Sequence, residues 1–119
     1  MRNDNKNQID VKANEFRYNK ARGGHPSYTV RVIKTQQNRK AKFIGLTESD
    51  TTFGVKNIPL DKNPNPARKD KKAYARPNVD EVVLTKKTFS KKLNGWEFSV
   101  SDKAKIQVII VNDSKKTKK

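Results

Sequence analysis

The sequence contains no cysteine, one histidine and one tryptophan. Without thiols it has no disulfide framework, thiolate nucleophile or thiolate metal site. A lone imidazole also excludes a centre built from several histidines. Acidic residues are few: 12 Asp and Glu against 28 Lys and Arg leave a formal net charge of +16 on 119 residues. No stretch approaches the roughly eighteen consecutive apolar residues of a membrane-spanning helix. The opening MRNDNKNQIDVKANEF has no apolar segment of the kind a secretory signal needs, so the expected setting is the cytoplasm, away from a membrane. Hydrophobic side chains make up 32% of the chain and charged ones 34%, which concentrates the core in part of its length.

The excess of cations is the strongest feature present. Every quarter of the chain is net positive, so no segment neutralises another. Such a surface favours a polyanionic partner, because cations that neutralise phosphates release the counterions condensed on them. Nucleic acid leads, RNA ahead of DNA. An anionic membrane surface comes second, since no strongly amphipathic basic helix is evident.

Residues 1–24 hold little to bury and read as a flexible basic arm. Residues 113–119, rich in lysine, read as a disordered tail. The domain is then 25–112. Alternation of apolar and polar residues predicts strands at 27–34 and 41–47, joined as a hairpin through the polar TQQNRK loop. Short strands are predicted at 55–60, 73–76, 81–85 and 96–100, with Pro59 marking an edge. The segment 61–72 contains two Asn-Pro pairs, which push the preceding residues out of the helical region. Residues 101–111 read as a helix packed on the sheet, with Ser101 and Asp102 at its start and Ala104, Val108 and Val111 along one stripe beside Ile106, Ile109 and Ile110. The expected architecture is α+β: a small, strongly bent antiparallel sheet or SH3-like barrel with a C-terminal helix.

Arg31, Lys34, Arg39, Lys40 and Lys42 fall on the first hairpin, and Arg68, Lys69, Lys71, Lys72 and Arg76 in or after the Asn-Pro loop. The two sets make a phosphate-binding groove if they approach one another. Of the aromatics, Phe53 lies in the polar ESDTTFG loop and is the best candidate for stacking on a base. His25 is the one side chain of a type that ordinarily titrates near neutrality, and it stands directly before the first strand. Thr47 ends the second strand. Metal-free RNA cleavage requires a base for the 2′-hydroxyl proton, an acid for the leaving oxygen and cations for the phosphorane. His25 suits proton transfer, Thr47 suits orientation of the phosphate, and Arg31 or Arg76 suits the charge, Arg76 being preferred. Neither a metal nor a cofactor is expected. A turn residue at 25 and an ordinary polar loop after 47 are the plainer readings of the same positions.

The order of pieces, with Gly24-His25-Pro26 before SYTVRVIK, then AKFIGLTES, KNIPL, AYARPNVDEV and a closing WEFSVSDKAKIQVII, resembles the MazF/PemK-like toxin endoribonucleases over residues 23–111. The resemblance implies an SH3-like barrel with a C-terminal helix, a homodimer, an acidic antitoxin as partner, and metal-independent cleavage of single-stranded RNA. It assigns the cleavage to a basic residue before a proline, here His25, and to Thr47. His25 stands where that family's pattern has an arginine, and NPNPARKDKK lies outside the pattern. A non-catalytic DNA- or RNA-binding accessory protein of a mobile element needs only the basic face and is the alternative.

Overall fold

The computed structural model describes residues 11–20, 23–85 and 87–116. Five strands form one antiparallel sheet: β1 (Phe16–Asn19), β2 (His25–Lys34), β3 (Arg39–Thr47), β6 (Ile58–Pro59) and β7 (Tyr74–Val83), in the order β1-β2-β3-β7-β6. A two-stranded ribbon, β4 (Thr51–Thr52) and β5 (Val55–Lys56), projects between β3 and β6, and one helix, α1 (Val100–Lys116), closes the chain. The fold is α+β, a small antiparallel sheet with a C-terminal helix. Among the described residues no helix is long and apolar enough to cross a membrane.

Alternation along β3 divides the core between the two faces of the sheet. Ile44 and Leu46 join Phe16, Ala75, Phe98, Ile106 and Ile109 in the cluster beneath α1. Ala41 and Phe43 join Val11, Leu84 and Phe89 on the other face. Each large side chain so buried contributes about 2 kcal/mol. None of the buried residues of the second cluster lines the cleft at His25 and Thr47.

Several sequence expectations need correction. Residues 16–19 are not an arm: they pair with β2 from Phe16↔Tyr28 to Asn19↔His25, and Val11 is buried. Residues 1–10 of the expected arm lie outside the described residues. The strands expected at 73–76 and 81–85 are one strand, β7, which crosses Pro77 because the ladder to β3 is interrupted there: Ile44 pairs with Val79 and Leu46 with Ala75. The skipped residues, Arg76 to Asn78, bulge out, so the missing proline N–H costs no ladder bond. Residues 96–99 form no strand. Their alternating aromatics face inward, Phe98 buried and Trp96 half-buried, but the backbone is irregular.

Helix α1 starts one residue before the predicted segment and runs to Lys116, taking in much of the expected tail. Residues 117–119 lie outside the described residues. Its cap is Ser99, whose Oγ accepts from the Asp102 N–H at 3.1 Å. Of the expected apolar side chains, Ile106 and Ile109 face the sheet with Ile110 packed beside them, while Ala104, Val108 and Val111 are exposed. So many β-branched residues disfavour an isolated helix, and packing on the sheet supplies its stability.

Candidate functional site

Three strands end or bend at the same place. Ser27 of β2 pairs with Gly45 of β3, and two more residues along each antiparallel strand bring His25 alongside Thr47 on the same face. Leu46 pairs with Ala75 of β7, so Arg76, the next residue, faces the side chain position of Gly45. A Cβ at Gly45 would stand 3.0 Å from the Arg76 Cγ, so the arginine lies across a gap that only glycine leaves open. His25 follows two glycines at φ +76° and +81°, a turn that fits glycine and few other residues. Its ring rests beside Gly23, with Cδ2 3.7 Å from that residue's Cβ position.

His25, Thr47 and Arg76 line one cleft of about 370 Å³, together with Pro26, Ser27, Thr52 and Phe53. No carboxylate is among the lining residues. The Arg76 Nε is buried without a hydrogen-bond partner among the described residues. The Thr47 Oγ1 accepts from the Ser49 N–H at 3.1 Å, which leaves the hydroxyl proton to donate. Such a set of donors suits an anionic oxygen.

Phe53 stands at the rim. With Gly54 it forms the two-residue turn between β4 and β5, and both have positive φ, +52° and +80°. That turn ordinarily takes Asn-Gly, and a phenylalanine there costs about 1 kcal/mol. The residue is 90% exposed, so burial does not offset the strain. The ribbon is anchored by Asn57, whose Nδ2 donates to Ser49 O at 3.0 Å and Thr52 Oγ1 at 2.8 Å.

A second cleft of about 320 Å³ adjoins the first and shares His25, Pro26, Leu46 and Thr47 with it. Glu48 and Arg68 meet at this cleft in a two-pronged ion pair, with Arg68 Nη2 2.7 Å from Glu48 Oε1 and Nε bonded to Oε2. The hydrogen bond from Arg68 holds the Glu48 carboxyl below its ordinary value, aided by Asn63. Behind it the 61–72 segment is tied to the helix by Asp102. This fully buried carboxylate accepts from the N–H groups of Asp61 at 2.8 Å and Lys62 at 3.1 Å, and pairs with Lys105 Nζ at 3.4 Å.

Neither of these clefts is lined by a cation of the first hairpin. Arg31, Lys34, Arg39, Lys40 and Lys42 lie towards the β2–β3 turn, with Lys34 opposite Arg39 and Arg31 opposite Lys42. Arg39 stands eight residues before Thr47 along β3, about 26 Å of strand. Lys42 is committed to Asp113 of α1 at 3.2 Å, and Arg68 to Glu48. Lys69, Lys71 and Lys72 line a third cleft that also contains Asp61 and Asp70. The structure therefore joins His25, Thr47, Arg76 and Phe53 and sets the hairpin cations apart. Gly45 and Tyr18 carried no functional expectation in the sequence, Glu48 was expected only in the polar loop after Thr47, and Trp96 only in a strand. Pro77 after Arg76 was the available signal for an interrupted ladder.

Among the described residues no group of three His, Cys, Asp or Glu side chains is placed to hold a metal ion. Comparison with protein-family models, curated proteins and solved structures returned no match.

Proposed function

We propose that this chain binds single-stranded nucleic acid, RNA in preference to DNA, and cleaves RNA by attack of its own 2′-hydroxyl. The observation that carries this reading is the meeting of His25, Thr47 and Arg76 in one cleft free of carboxylates, beneath an exposed and strained Phe53. The phosphodiester lies between Arg76 and Thr47, and the neighbouring base stacks on Phe53. His25 takes the 2′-hydroxyl proton as the 2′-oxygen attacks phosphorus. The P–O5′ bond breaks, the 5′-oxygen takes a proton from water, and a 2′,3′-cyclic phosphate and a 5′-hydroxyl end result. Arg76 offsets the charge gained by the phosphorane, and Thr47 donates to a non-bridging oxygen. In activity this aligns the chain with the MazF/PemK-like endoribonucleases, His25 acting where their pattern has arginine. A cytoplasmic setting, a homodimer and an acidic antitoxin belong to the same proposal.

A DNA strand carrying one ribonucleotide tests it. Cutting only after that ribonucleotide supports the mechanism, and an all-DNA strand should be bound with salt-dependent affinity and left intact. Cleavage of the all-DNA strand, or affinity indifferent to salt, contradicts it. A second reading, binding without cleavage, is favoured by the hairpin cations, which lie about 10 to 20 Å along β2 and β3 from the cleft-lining Ser27 and Gly45 and serve affinity.

A further inference from the structure

The second cleft has a lining that phosphate binding does not explain. Tyr18 of β1 and Trp96 of the segment before α1 meet there edge to face, with ring centroids 5.9 Å apart, and Pro26, Pro64 and Leu46 complete an apolar surface. Tyr18 stays 38% exposed despite that contact. Polar groups stand beside the rings. Asn65 Oδ1 is engaged by the Ala67 N–H at 2.9 Å, while its amide N–H₂ is unpaired among the described residues. Glu48 and Arg68 lie at the same cleft. An apolar hollow of about 320 Å³ with a few fixed donors and acceptors is what a flat, polar-edged ligand requires.

We propose that this hollow takes a nucleobase of the strand whose phosphate occupies the first cleft. The proposal rests on the reading of that cleft as a phosphodiester site and adds a place where sequence is read. His25, Pro26, Leu46 and Thr47 border both hollows, so a base seated against Tyr18 and Trp96 belongs to the nucleotide flanking the bound phosphate. Stacking supplies affinity for any base, and the unpaired amide of Asn65 supplies discrimination among bases, because an edge offering it no acceptor leaves a desolvated donor unmet. Phe53, at the far rim of the first cleft, then holds the base on the other side of the phosphate.

Trp96 is the only tryptophan of the chain, so its emission reports on this hollow alone. The probe is an eight-nucleotide 2′-O-methyl RNA, which cannot be cut, with a fluorescein at one end whose anisotropy reports complex formation independently. Saturation is expected to change Trp96 emission. Tyr18→Ala should weaken binding about tenfold, and Tyr18→Phe should restore it. An abasic strand should bind wild type and Tyr18→Ala alike. Asn65→Ala should narrow the differences in affinity among strands of the four bases. Complex formation with unchanged Trp96 emission, or Tyr18→Ala binding as wild type does, overturns the base site and leaves the phosphodiester reading standing. No complex with any strand overturns both.

Discussion

Arg76 lies against Gly45 across the interrupted β3–β7 ladder, its Cγ 3.0 Å from the point where a Cβ on residue 45 would stand. Glycine here serves the position of a side chain on another strand. Gly45→Ala forces the Arg76 stem to shift while the sheet around it is retained. RNA cleavage should fall about tenfold or more, because small displacements at a charge-stabilising group are costly to catalysis. Melting temperature and far-ultraviolet dichroism should change little.

Phe53 sets stability against function in one residue. Phe53→Asn supplies the residue that a turn with two positive φ values prefers, so unfolding free energy should rise by about 1 kcal/mol. The same change removes the exposed ring and should weaken single-strand binding by ~2 kcal/mol. Urea titration and anisotropy on the same preparation measure the two effects.

Asp102 holds the 61–72 segment against α1. Asp102→Ala leaves two backbone N–H groups and Lys105 without their buried acceptor and should cost about 3 kcal/mol. Ala104→Ser, on the exposed side of the same helix, should stay within about 0.5 kcal/mol of wild type. Urea midpoints distinguish the two.

The ion pair of Glu48 with Arg68 makes a small acid-labile contribution. Because the carboxyl is held below its ordinary value of 4.5, the unfolded chain takes up this proton first as the pH falls. The contribution is complete at neutral pH, fades below that ordinary value and is lost once the pH passes the folded value. The stability difference between wild type and Glu48→Gln should therefore be positive at neutrality and vanish in strong acid.

The β2–β3 hairpin was legible because its alternation is regular and its turn is polar. That alone predicted His25 and Thr47 at a common edge. Strand β1 was not legible, since Phe16 is buried by Tyr28, Trp96 and Phe98, the last two at the far end of the chain. Missing β1 meant missing Tyr18 and the second cleft. The single strand β7 was hidden by Pro77, which reads as a break unless a bulge absorbs it. Which apolar side chains of α1 pack on the sheet was not legible, because Ile, Val and Ala occupy nearly every side of it, leaving the polar pattern to decide. There the buried Asp102 counts as a surface residue until its bonds to the 61–72 segment are known.

Incubating single-stranded RNA with wild-type protein and with His25→Ala in excess chelator, with cleavage read on a gel and affinity by anisotropy, separates cleavage at His25 from binding alone. Wild type should cut, leaving 2′,3′-cyclic phosphate ends. His25→Ala should lose about a hundredfold or more in rate and keep its affinity within about threefold, because binding is spread over many cations. Wild-type protein that binds RNA and never cuts it, or a His25→Ala variant that cuts as fast as wild type, would contradict the account.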